Sequence, residues 1–264
     1  MTIAAMDKAA AEAGGIIWRH WEARTRIDAL PAACRPIDRR SGYAAQAALA
    51  TASGDRVIGW KIAATSAAGQ HHIGVDGPLA GRLLAARVVE SGWRVPLMGN
   101  LMRVAEAEFV FRMGKSLPQR AMPYSMDDVL AAIGSIFPGI EVPDSRFNDF
   151  ARAGMPSLIA DNACTDWFVL GPEVTAPWRH RDLAAHEVIV NRNGAQAAVG
   201  KGSMVLGSPL SAMLWIANEL REYGQGLAQG DLVTTGTCIV PLAINEGERI
   251  SAEFGEFGQV SAVF

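Results

Sequence analysis

The chain has 264 residues, half of them hydrophobic, and a formal net charge of −3. That length buries a substantial core in one large domain, or one domain with an annex, and the charge balance lacks the polyelectrolyte character that recruits nucleic acid or an anionic membrane. Cys34, Cys164 and Cys238 are too dispersed for a zinc site or a disulfide framework, and neither a secretion leader nor a run of ~18 apolar residues is visible, so a cytoplasmic protein is expected.

Residues 3–24 and 41–51 are Ala-rich and predict helices, separated by Pro31 and Pro36. Gly14-Gly15 is expected to bend or break the first, and Ser41 to cap the second. Residues 1–54 thus read as a helical annex, covering the sheet of a β-rich catalytic domain over residues 55–264 and contributing to self-association. Arg56–Ala63 is the first convincing strand. Its alternation sets Trp60 and Ile62 on one face and Lys61 on the other, between Gly59 and Ala63. Small neighbours leave open space beside a long cation, as a ligand pocket requires; a surface lysine lying along the strand is the alternative. A short helix over Ser66–His72 follows, then a Gly- and Pro-rich stretch with one strand at Arg87–Glu90.

Val104–Phe111 predicts a buried strand with Ala105, Ala107, Phe109 and Phe111 on one face and Glu106 and Glu108 on the other. Their Cα atoms then stand roughly 6–7 Å apart. Burying two carboxylates costs several kcal/mol each unless something neutralises them, and a hard divalent cation does so. Glu141 lies in another apolar, strand-like run, Gly139–Pro143, so the three glutamates are candidate ligands of one metal ion. The competing reading puts Glu106 and Glu108 on the wet face of an edge strand.

Ser125 predicts a helix cap, with acidic residues in the following turn. Residues 144–166 read as a long loop loaded with Asp144, Arg146, Asp149, Asp161 and Asn162, a pattern more often functional than decorative. Trp167–Leu170 is a short strand. Asn193-Gly194 signals a type I′ hairpin between 187–191 and 195–199. Ser208-Pro209 opens the clearest helix, closed by Gly224, and strands at 231–235, 249–254 and 259–264 complete the chain. Strands and helices do not alternate around a Gly-rich phosphate loop, which argues against a dinucleotide fold.

Several motifs occur in one order: Gly59-Trp60-Lys61-Ile62, Gly74-Val75-Asp76-Gly77-Pro78, Glu106-Ala107-Glu108, Glu141-Val142-Pro143-Asp144-Ser145-Arg146, Ala160-Asp161-Asn162-Ala163 and Gly230-Asp231-Leu232-Val233-Thr234-Thr235-Gly236. Over residues 40–264 this set resembles the 2-oxopent-4-enoate hydratase / 4-oxalocrotonate decarboxylase family of the fumarylacetoacetate hydrolase superfamily. The resemblance implies an α+β fold with a mixed, rolled sheet and an N-terminal helical annex. It also implies Mg2+ or Mn2+ on Glu106, Glu108 and Glu141, with Lys61 in the active site. The implied activity is that of a lyase in aromatic catabolism, hydrating a 2-hydroxy-2,4-dienoate to a 4-hydroxy-2-oxo acid. A 2-oxo-acid decarboxylase or related lyase or tautomerase is the alternative, and a non-catalytic acid-binding or partner protein a further one. The implied partners are a small 2-oxo acid or dienoate and further copies of the chain, or a sister decarboxylase or hydratase.

One departure bears on the chemistry. Hydratases of the family commonly carry Asp-x-Pro-Asp-Phe-Gly, whose second Asp is thought to move a proton; here the run is Asp76-Gly77-Pro78-Leu79-Ala80-Gly81. Leu79 carries no proton, so either Lys61, Asp76 or a histidine of the His71-His72 pair, His72 being the candidate, is expected to do so, Lys61 if burial lowers its pKa, or the reaction is a different one. Leu79, Arg146 and Asp161 are the candidate substrate-contacting residues. Arg146 is read as a bidentate carboxylate clamp or as a salt bridge to Asp144 or Asp149, and Asp161-Asn162 as a support for the site or a turn cap.

Overall fold

The computed structural model describes residues 3–264. Two helices open the chain, α1 (Ile3–Ala23) and α2 (Arg39–Ser53). α1 runs unbroken through Gly14-Gly15 because the two helix backbones touch there. A Cβ on Gly14 would lie 2.4 Å from the Leu49 amide nitrogen, so the contact with α2 needs a glycine and offsets its helix penalty of about 1 kcal/mol. Asp38, not Ser41, is the N-cap of α2. Ser41 takes the third helical position instead and completes a reciprocal capping box with Asp38.

The strands are β1 (Val57–Ala63), β2 (Leu79–Leu84), β3 (Val88–Glu90), β4 (Val104–Met113), β5 (Ile133–Val142), β6 (Trp167–Leu170), β7 (Glu187–Arg192), β8 (Ala195–Lys201), β9 (Leu232–Thr237), β10 (Leu242–Ala243), β11 (Arg249–Glu253) and β12 (Gln259–Val263). Further helices are α3 (Ala67–His72), α4 (Met126–Ala132), α5 (Met155–Ala160) and α6 (Pro209–Tyr223). A mixed sheet runs in the order β2-β1-β9-β4-β5-β6-β3, with β10 added to β4; a second sheet runs β12-β11-β7-β8. The main sheet is strongly curled. At ~4.8 Å per strand, β1 and β5 would lie roughly 14 Å apart if flat, yet Lys61 of β1 and Glu141 of β5 meet at 2.8 Å.

The alternation predicted for β4 sets its outer face in the main core. Ala105, Ala107, Phe109 and Phe111 pack there with Met213, Ile216 and Leu220 of α6 and with Val188 and Ile250 of the second sheet. A smaller core joins Ile17, Trp21 and Leu49 of the first two helices to Phe147. Two elements differ from the sequence reading. β2 forms inside a Gly/Pro-rich stretch because its backbone pairs with β1, and the loaded 144–166 segment contains α5. Among the described residues, no helix is long and apolar enough to cross a membrane.

Candidate metal centre and substrate cavity

Glu106 of β4 lies directly across from Glu141 of β5, and Glu108 follows two residues on along the same face. One carboxylate oxygen from each of the three falls within 4.8 Å of the others. Glu108 and Glu141 are buried, whereas Glu106 is partly open to the adjoining cavity. Glu108 Oε2 accepts a 2.9 Å hydrogen bond from the Gly236 amide, while Glu108 Oε1 and Glu141 Oε2 are buried without a hydrogen-bond partner. Burial, then the neighbouring glutamate charges, push the carboxyls of Glu106 and Glu108 above the usual range, with Lys61 opposing. Unsatisfied, mutually repelling hard oxygens fit a divalent cation.

Lys61 Nζ lies 2.8 Å from Glu141 Oε1 and donates a 2.8 Å hydrogen bond to the Ala163 carbonyl. Burial pulls its pKa down, but Glu141 and Glu106 outweigh that effect and leave it above the ordinary lysine value. The expected lowering is thus reversed: Lys61 is buried, but the neighbouring carboxylates favour its charged form more than burial disfavours it.

The Ala163 carbonyl reaches Lys61 because three consecutive non-glycine residues, Asn162, Ala163 and Cys164, have φ of 53°, 50° and 60°. Each such conformation costs about 1 kcal/mol or more, and the surroundings compensate. Asn162 accepts from the Arg82 amide at 2.6 Å and donates to the Arg82 carbonyl at 2.9 Å, imitating a strand neighbour along the outer edge of β2, which is buried here. A Cβ on Gly81 would lie 2.4 Å from the Asn162 carbonyl oxygen, so glycine there lets the turn seat itself. Beneath it, Asp161 accepts from Ser145 Oγ at 2.6 Å and from Arg146 Nε at 2.5 Å.

These contacts correct the view of Arg146 and Asp161 as substrate-contacting residues. Arg146 pairs with Asp161, not Asp144 or Asp149. Its Nη1 donates to the Asp144 and Thr165 carbonyls, each at 2.8 Å, and its guanidinium lies over Trp21. Neither Arg146 nor Asp161 reaches the cavity wall. Asp76 is exposed and also stands off that wall.

The cavity measures about 670 Å³ and is lined by Lys61, Glu106, His72 and Leu79 among others. His72 is exposed at its rim, edge-on to Phe150 at 5.9 Å between ring centroids. The sequence reading missed Met102, Phe150, Leu158 and Cys164 on the wall, and two backbone groups that serve the centre, the Ala163 carbonyl and the Gly236 amide. The only sequence signals for the latter two were the Asp161-Asn162-Ala163 run and the glycine closing the 230–236 motif.

The fumarylacetoacetate (FAA) hydrolase C-terminal family pattern matches residues 86–264, a stretch holding all three glutamates. The chain belongs to this family. Its relatives include 2-keto-4-pentenoate hydratase 2 of Dechloromonas aromatica (strain RCB), 34% identical over 230 residues, 86% of each chain. Another is 2-hydroxypent-2,4-dienoate hydratase of Pseudomonas putida, 38% identical over 174 residues, 66% of this chain and 77% of that one. Among solved structures, 4-oxalocrotonate decarboxylase from Pseudomonas putida G7, complexed with magnesium and adipate, superposes with a TM-score of 0.87 at 27% identity, covering 97% of both chains.

Proposed function

We propose that this protein is a lyase that adds water to a 2-hydroxy-2,4-dienoate of the 2-oxopent-4-enoate type, giving a 4-hydroxy-2-oxo acid in aromatic catabolism. The observation that carries this reading is the convergence of three largely desolvated carboxylates, one atom from each within 4.8 Å, beside a lysine on the wall of a cavity. The identity with two hydratases supports it.

Glu106, Glu108 and Glu141 are the residues to hold Mg2+ or Mn2+. Such an ion, when bound, supplies a Lewis acid for the carboxylate and keto oxygens of a 2-oxo acid. Lys61, kept protonated by Glu141 and anchored on the Ala163 carbonyl, sets a fixed positive charge beside the acid's head group and holds a proton at Nζ. His72 is the ionisable side chain at the cavity rim, placed to exchange protons with solvent. Leu79 offers an apolar contact and excludes water. Asp161 and Arg146 are positioning residues, which hold the 162–164 turn and through it Lys61. The protein is further proposed to work in the cytoplasm as a homo-oligomer, alone or with a sister enzyme.

A second reading, 2-oxo-acid decarboxylation, is favoured by the missing carboxylate at position 79 and by the close superposition on a decarboxylase. Incubation with Mg2+ and either 2-hydroxypenta-2,4-dienoate or 4-oxalocrotonate separates the two. Loss of diene absorbance with appearance of the 4-hydroxy-2-oxo acid is expected. CO2 release without hydration selects the second reading, and turnover that persists undiminished in EDTA rejects metal dependence for both.

A further inference from the structure

We infer that the substrate's tail is an uncharged hydrocarbon group larger than a vinyl, and that tails ending in a second carboxylate are rejected; this rests on the 2-oxo-acid reading above. Size is the first ground. 2-Oxopent-4-enoate has eight non-hydrogen atoms; at a generous ~30 Å³ each it needs roughly 240 Å³, well under the cavity's 670 Å³.

The chemistry of the wall is the second. The cavity's ionisable lining residues are Lys61, Glu106, His72 and Cys164. Lys61 and Glu106 belong to the metal centre, where the acid's head group sits, and Lys61 is already engaged by Glu141 and the Ala163 carbonyl. Cys164 adjoins that same carbonyl in sequence, and a thiol, neutral or ionised, offers a carboxylate no positive charge. The rest of the wall is largely apolar, with Leu79, Met102, Phe150, Leu158 and Ile239, and its polar side chains there are the neutral hydroxyls of Thr65, Ser66 and Thr237. Among the described residues, no arginine lines this wall. An apolar tail gains from such a lining, whereas a second carboxylate loses its water to a wall that offers it neutral hydroxyls and, at the rim, His72.

Calorimetric titration of the Mg2+-loaded protein tests this without turnover, with 2-oxopentanoate, 2-oxooctanoate and 2-oxooctanedioate as probes. Affinity should rise about fourfold per added methylene, on the order of 50-fold from the first probe to the second. The dicarboxylate should bind at least ~100-fold more weakly than 2-oxooctanoate. Met102→Lys, which sets a cation on a partly exposed part of the wall, should recover at least tenfold for the dicarboxylate. Affinity flat with chain length, or 2-oxooctanedioate binding as tightly as 2-oxooctanoate, overturns the inference. Dicarboxylate binding abolished by His72→Ala overturns it too, by making His72 the counter-ion. Failure of every 2-oxo acid to bind removes the parent reading itself.

Discussion

Glu108 is fully buried, with one oxygen on the Gly236 amide and the other unpartnered. Without an ion it adds to the repulsion within the trio, and it is proposed as a ligand of the ion. Glu108→Gln keeps the shape and removes the charge, so Mn2+ affinity should fall at least ~100-fold by calorimetry. The metal-free variant should melt no lower than the parent, because one desolvated charge is gone; a lower melting temperature would show the trio to be stabilising without metal. Asn162 carries a different burden, since its amide satisfies both backbone groups of Arg82 while φ stays positive. Asn162→Ala should cost about 2–4 kcal/mol in urea unfolding, from two stranded backbone groups, and should lower kcat as Lys61 loses its anchor. The three glutamates stand out in the sequence because charge in an apolar strand is anomalous. The Ala163 carbonyl does not, because a main-chain oxygen carries no side-chain signature.

At the level of elements, periodicity located β1, β4, the β7–β8 hairpin and α6, each within a few residues of its observed ends. Asn193 and Gly194 have φ of 51° and 83°, the positive pair that a type I′ turn requires. β2 and α5 escaped because their local sequences, Leu79-Ala80-Gly81 and Met155-Pro156, resemble turn material. Pairing with β1 and packing under α2 decide their conformation instead. The cap of α2 offers a direct test. Ser41's hydroxyl, then its amide, hold the Asp38 carboxyl below the usual carboxylate range. With the folded value depressed, the cap's contribution is complete above the unfolded carboxylate pKa and is lost as pH falls through the folded one. Asp38→Ala should therefore cost about 1 kcal/mol at neutral pH, and the gap to the parent should close progressively below about pH 4. A gap independent of pH would show the capping to be uncharged.

Across the whole molecule, the end of α1 and the connector after it brace the segment that seats Lys61. Trp21 Nε1 donates to Asp166 at 2.8 Å, Arg24 pairs with Asp166 at 2.7 Å, and Arg26 pairs with Asp144 at 2.6 Å. Asp144 also accepts from the Leu101 amide at 2.8 Å, fixing the strip that carries Leu101 and Met102 on the cavity wall. The division at residues 54/55 is thus proposed as a boundary between a brace and the unit it braces. Asp144→Ala should destabilise the protein by about 2–4 kcal/mol. It should also raise KM roughly tenfold with a smaller loss in kcat, since it loosens the wall and not the metal centre. Equal losses in both constants would place Asp144 in the chemistry itself.

The sequence by itself singled out the acidic trio and most of the strands, because alternation and a charge in an apolar run are local properties of a chain; the rolled sheet and the place of Lys61 in the site followed from the resemblance carried by the ordered motifs. Tertiary structure decided the charge state of Lys61, the diversion of Arg146 and Asp161 from substrate to scaffold, and the apolar character of the cavity. The reason is the curl of the main sheet. Folding β1 toward β5 brings a lysine within 2.8 Å of a glutamate 80 residues away in the chain, and no local pattern encodes that distance.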